Sequence, residues 1–147
     1  MAYTQILYHI VLRTKYSEPS IAQENVSSLY KYIWGIIQNK KGKLYRINGM
    51  EDHVHILSDL HTSIALADFV KDIKVATSLW LKQSPDFPNF KGWNEGYCAF
   101  TYSYKEKEVI INYIKNQQKH HQQEDTQSEL KRLWLENGME LDERYFA

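Results

Sequence analysis

His53-Val54-His55 holds two imidazoles with one β-branched residue between them. On a strand, residues i and i+2 share a face, so both rings can reach one divalent ion while Val54 and Ile56 point the other way. A strand is a rigid mount for two ligands, and two imidazoles leave coordination positions open for substrate oxygens.

A second chemical signal lies in Val109-Ile110-Ile111-Asn112-Tyr113-Ile114-Lys115-Asn116-Gln117. Tyr113 and Gln117 are four residues apart and so neighbours on one helix face, and at about 100° per residue His120 falls there too. A tyrosine hydroxyl is a weak nucleophile at its ordinary pKa near ~10, but a metal can stabilise its phenolate and polarise a phosphoryl oxygen. Gln117 offers a neutral carbonyl oxygen as a third ligand, which suits Mg²⁺ or Mn²⁺.

The elements that must position these groups follow from periodicity and turn chemistry. Tyr3 to Arg13 reads as a buried strand. Pro19-Ser20 opens a helix whose Val26, Leu29, Tyr30, Ile33, Ile36 and Ile37 keep helical spacing, and Gly42 stops it. Leu44 to Asn48 is a second strand, Gly49 marks a turn, and His53 to Asp59 is a third strand. Leu66 to Lys82 is a second helix with Phe69, Val70, Ile73, Ala76, Leu79 and Trp80 on its apolar side. Residues 84–96 form a loop rich in Pro and Gly, and Tyr97 to Tyr102 is a fourth strand. Ser103 with Glu106 fits a capping box opening a third helix through about Gln122; Thr126 with Glu129 fits another, opening a short helix that stops at Gly138. The order β-α-β-β-α-β predicts an α+β, ferredoxin-like (RRM-like) sandwich with an added C-terminal catalytic helix and a short helical tail. Its first and third strands are central, so the His pair lies mid-sheet. Residues 1–122 form the domain and residues 123–147 an acidic helical extension of it.

Asp52-His53-Val54-His55 followed by Tyr113-Ile114-Lys115-Asn116-Gln117 resembles the HUH single-tyrosine transposases of the smallest insertion sequences, the IS200-like superfamily with its REP-associated relatives. Tyr8-His9-Ile10-Val11-Leu12-Arg13-Thr14-Lys15-Tyr16 and Trp93-Asn94-Glu95-Gly96-Tyr97 extend the resemblance over residues 3–121. It implies a metal-dependent enzyme that cuts and rejoins single-stranded DNA near a hairpin or palindromic repeat. The tyrosine attacks the phosphodiester, leaving a 5′-phosphotyrosine link and a free 3′-hydroxyl. His53, His55 and Gln117 then correspond to metal ligands for Mg²⁺ or Mn²⁺ and Tyr113 to the nucleophile, in a homodimer. Members often carry Pro where Glu51 stands, a turn position of little catalytic weight.

Composition sets the bounds. The 147 residues suffice for one domain, and the lone Cys98 excludes a disulfide framework or a thiolate cluster. No apolar run is long enough to span a bilayer and no signal-peptide pattern opens the chain, so a cytoplasmic protein is expected. The zero net charge conceals an asymmetry. Residues 1–121 carry 15 Lys/Arg against 11 Asp/Glu, and residues 122–147 carry 3 against 7. A mildly basic body is compatible with phosphate contacts. Arg13, Lys15, Lys71 and Lys74 are candidate DNA contacts, each equally readable as a solvated charge. His9 fits a hydrogen-bonding role behind the His pair, and His120 an accessory role. Three functions remain to be separated: a covalent DNA strand transferase; a domesticated, non-catalytic hairpin-binding descendant or RNA-recognition-like module; and a small metallohydrolase.

Overall fold

The computed structural model describes residues 1–146. Four strands, β1 (Leu7–Arg13), β2 (Leu44–Met50), β3 (His53–Ser58) and β4 (Cys98–Tyr102), form one antiparallel sheet in the order β2-β3-β1-β4. Helices α1 (Val26–Asn39) and α2 (Leu66–Gln83) make the two crossovers, which is the ferredoxin-like arrangement expected from the element order. Among the described residues no helix is long and apolar enough to cross a membrane.

The period of two along the central strands divides the molecule into two cores. Ile10 and Leu12 of β1 and Val54 and Ile56 of β3 face α1 and α2, where Leu29, Ile33, Ile37, Phe69, Val70 and Ile73 complete the first core. Leu7, His9, Val11, His53, His55 and Leu57 take the opposite face, every one of them buried. On α2, Leu79 is exposed and Thr77 is buried in the stripe instead, its hydroxyl accepting from Trp93 Nε1 at 2.9 Å.

The second face is roofed by α3 (Lys107–Lys115), α4 (Gln117–His120), α5 (Thr126–Glu136) and α6 (Glu143–Phe146). Ile110 and Ile114 of α3 pack on Leu7 and Leu57. Leu130, Leu133 and Trp134 of α5, with Phe146, pack on Val11, Cys98 and Phe100. The extension is thus a layer of the fold over half of one sheet face; its last residue, Ala147, lies outside the described residues.

β1 begins at Leu7 instead of Tyr3 and α1 at Val26, beyond the Pro19-Ser20 opening, and three further local features differ from the expected elements. The single helix expected through Gln122 breaks at Asn116 (φ −97°, ψ 24°). Asn48 Nδ2 donates to the carbonyls of Ile114 and Lys115 at 3.0 and 3.1 Å, capping α3 and tying it to β2. The N-cap of α5 is Asp125, whose carboxylate accepts from the Ser128 N–H at 2.8 Å, so Glu129 is released from the expected capping box and turns inward. Gly49 belongs to β2, and the turn is Glu51-Asp52.

A Cβ on Gly49 would stand 2.1 Å from the His53 carbonyl oxygen and 2.9 Å from Val54 Cα. The glycine lets β2 approach the backbone that carries the first histidine. Gly49→Ala must displace that backbone and is expected to cost about 1–3 kcal/mol in urea-unfolding free energy. An unchanged unfolding midpoint contradicts this account of the strand pairing.

Candidate active site

β3 presents His53 and His55 on the same face, both fully buried. Each ring is anchored through Nδ1. Asp52 Oδ1 lies 2.7 Å from His53 Nδ1, and His9 Nε2 lies 2.7 Å from His55 Nδ1. Thr126 Oγ1 donates to the same Asp52 oxygen at 2.9 Å, so α5 also braces the outer side of His53. Anchoring at Nδ1 turns both Nε2 atoms inward, the orientation that a partner behind a metal-ligating imidazole enforces.

The inward atoms converge on a residue that was read from sequence as a cap. Glu129 Oε1 lies 3.2 Å from Nε2 of each histidine, and Glu129 is fully buried. His121 Nε2 reaches the same oxygen at 3.0 Å. Gln117, also fully buried, sets its Oε1 3.1 Å from His53 Nε2 and donates Nε2 to Glu129 Oε2 at 2.8 Å. The Tyr113 hydroxyl donates to Glu129 Oε2 as well and accepts from Arg132 Nη2 at 2.8 Å. His120 lies against the Tyr113 ring, with centroids 4.6 Å apart.

Ligand atoms of His53, His55 and Glu129 all lie within 4.8 Å of one another, and this donor set fits a divalent cation. Two imidazole nitrogens and a carboxylate oxygen leave further coordination positions free, and such mixed N/O sets suit first-row divalent metals. Gln117 stands at the edge of the set, its carbonyl oxygen beside His53.

The remaining candidates fall elsewhere. Arg13 is buried: its guanidinium lies 4.1 Å from the Tyr145 ring centroid and Nη2 donates to the Tyr145 carbonyl at 2.5 Å. Lys15 is exposed. Lys71 and Lys74 ride on α2, across the sheet from the histidines. Lys71 is exposed, while Lys74 Nζ holds the carbonyls of Asn94 and Gly96 at 2.9 and 2.5 Å.

Sequence reasoning missed Glu129, His121, Asp52 and Arg132. One signal for Glu129 was present. Thr126, Glu129, Leu130, Leu133 and Trp134 are spaced as one buried helical stripe, and a carboxylate inside an apolar stripe needs partners.

The cluster has a defined electrostatic state. Burial alone would lower the His53 pKa, but its hydrogen bonds to Asp52 and Glu129 outweigh that and raise it to about 9. Burial lowers His55, and burial with the neighbouring His55 lowers His9 well below its usual value. Burial would raise the Glu129 carboxyl, yet His55, His121 and His53 hold it well below the carboxylate range. Burial and then Glu129 push the Tyr113 phenol up, with Arg132 pulling the other way.

In EDTA, the stability contributed by protonated His53 is complete below its unfolded value of 6.5 and is lost as pH rises toward about 9. His55 and His9 act with the opposite sign, losing stability as pH falls below 6.5. The melting temperature in EDTA should therefore decline from about pH 6.5 to about pH 9, and His53→Gln should flatten that slope. An equal slope in the variant would place the titrating group elsewhere.

Comparison with known proteins identifies the family and the fold. The family model described as "Transposase IS200 like" matches residues 2–117. The ISDra2 transposase TnpA of Deinococcus radiodurans is 28% identical over 120 residues, covering 77% of this chain and 84% of that protein. A crystal structure of a candidate transposase from Deinococcus radiodurans superposes with a TM-score of 0.58 at 29% identity, covering 80% of this chain and 95% of that one. A REP-associated tyrosine transposase bound to a REP hairpin shares the fold, with a TM-score of 0.60 at 11% identity over 82% of this chain and 74% of that one. The chain belongs to the IS200-like transposase family.

Proposed function

We propose that the protein is a metal-dependent transposase and nickase that cleaves and rejoins single-stranded DNA near hairpins through a covalent 5′-phosphotyrosine at Tyr113. One observation carries this reading. A single buried carboxylate, Glu129, meets the two inward imidazoles of β3 through Oε1 and the Tyr113 hydroxyl through Oε2. The nucleophile and the candidate metal ligands therefore share one residue.

His53, His55 and Glu129 would hold the ion, with Gln117 alongside; bound there, Mg²⁺ or Mn²⁺ would polarise a phosphoryl oxygen and offset phenolate charge. The rest is done by the chain. Glu129 Oε2 orients the Tyr113 O–H, and burial keeps the resting phenol protonated. Attack forms the Tyr113 Oη–phosphorus bond and breaks the bond to the 3′ oxygen. The proton lost by the phenol ends on the 3′-hydroxyl, so no other reactant is consumed. A second strand's hydroxyl reverses these steps and rejoins the DNA, with the phosphotyrosine conserving the bond energy.

The five side chains meet within the single chain. The family resemblance implies a homodimer, in which the Tyr113 helix would complete either its own chain's site or the partner's. The solved relative bound to a REP hairpin supports a hairpin as the DNA partner. The reading of residues 123–147 as an extension of the domain is supported by its supply of Glu129 to the site.

With labelled single-stranded hairpin DNA from the gene's own flanks and Mn²⁺, a covalent protein–DNA species should appear on a denaturing gel. Tyr113→Phe should abolish it while still shifting the hairpin on a native gel, and EDTA should abolish it in the wild type. Hairpin binding without an adduct would instead favour the non-catalytic descendant. Glu129→Ala should weaken Mn²⁺ binding by about tenfold or more in titration calorimetry. Unchanged affinity removes Glu129 from the ligand set.

A further inference from the structure

The extension supplies a second charged group at Tyr113. Arg132, on α5 one turn beyond Glu129, is half-buried, and its Nη2 donates to Tyr113 Oη at 2.8 Å. Two carboxylates fix the rest of the guanidinium. Glu124 takes Nε at 3.2 Å and Nη2 at 2.6 Å, and Glu136 takes Nη1 at 3.1 Å. Nη2 carries two hydrogens, so one serves Glu124 while the other remains on the phenol oxygen. Oη thus donates to Glu129 and accepts from Arg132, and one lone pair stays free for attack.

Two clefts reach this pair. One, of about 440 Å³, is lined by Tyr113, His120, Gln123, Glu124 and Arg132. The other, of about 420 Å³, runs between α3 and α5 over β4. Tyr113 and Arg132 are the two residues they have in common. A strand lying in either cleft would meet Tyr113 and Arg132 together.

We propose that Arg132 is a catalytic residue of strand transfer, binding a non-bridging oxygen of the phosphate that Tyr113 attacks. This rests on the reading of Tyr113 as nucleophile. When Oη bonds phosphorus and the 3′ oxygen departs with the electron pair, the non-bridging oxygens stand two bonds from Oη, on the phosphorus it has joined, within reach of the Nη2 that holds Oη at rest. The 3′ oxygen takes up the proton released by Tyr113, and the phosphate charge is met by a guanidinium locked in place beforehand. The Nη2 hydrogen bond that rests on Oη passes to the non-bridging oxygen as Oη becomes an ester oxygen, while Glu124 and Glu136 keep the guanidinium in place. Lysine lacks the planar fork that Glu124 and Glu136 hold, so Arg132→Lys should recover only part of the rate.

The test compares wild type, Arg132→Gln and Arg132→Lys on two hairpin substrates with Mn²⁺. One has an ordinary scissile phosphodiester; the other has a methylphosphonate there, which removes one non-bridging oxygen and the charge. On the diester, Arg132→Gln should form adduct about 100-fold more slowly than wild type, with Arg132→Lys in between. Hairpin affinity, Mn²⁺ affinity and melting temperature should stay near wild type. On the methylphosphonate the gap should shrink to about tenfold or less, because the charge that Arg132 meets is gone. An equal gap on both substrates, or diester cleavage by Arg132→Gln within about threefold of wild type, overturns the role while leaving Tyr113 as nucleophile. Absence of adduct in the wild type overturns the covalent reading itself, and Arg132's role with it.

Discussion

Glu129 is a carboxylate with no exposed surface, set between His53, His55 and His121 on one oxygen and Tyr113 and Gln117 on the other. An ion stripped of water costs several kcal/mol unless paired and hydrogen-bonded, so these contacts must form together or not at all. They draw on β3, α3, α4 and α5 at once. The break at Asn116 turns Gln117 into the cluster, the Asp125 cap frees Glu129, and the Gly49 contact sets the backbone of His53. The C-terminal helices therefore contribute to this buried cluster as well as to the fold.

The sheet separates construction from chemistry. One face is given to an aliphatic and aromatic core beneath α1 and α2, which holds β1 and β3 rigid. The other places three histidines beneath the helices that bring the tyrosine and the glutamate. This division explains the positions of the basic residues. Lys71 and Lys74 belong to the structural layer, and Arg13 lies beneath Tyr145, packed into the extension. Arg132 brings the positive charge to Tyr113, and it comes from the part of the chain with the most acidic composition.

What could be read from sequence follows the range of the interactions. The strands themselves and the shared face of His53 and His55 depend on local periodicity, and both have their counterpart in the structure. Tyr113 and Gln117 meet at Glu129 across the break at Asn116 instead of on one unbroken helix. The partners of Glu129 were not legible, because Thr126 and Glu129 satisfy a local capping pattern equally well. Only tertiary packing decides that Asp125 caps and Glu129 is buried. Arg13 illustrates the same limit: its position on β1 was clear, while its cover comes from Tyr145, far along the chain. His9 was legible as a support because its strand adjoins β3, and the structure sets it against His55 Nδ1.

The most direct test of the shared-carboxylate site is an anomalous-difference map from crystals of the protein soaked in Mn²⁺. The account predicts one strong peak within coordination distance of His53 Nε2, His55 Nε2 and a Glu129 carboxylate oxygen, with Tyr113 alongside. A peak bound by the histidines and Gln117 with Glu129 turned away, or no peak at the histidines at full soak, would contradict it.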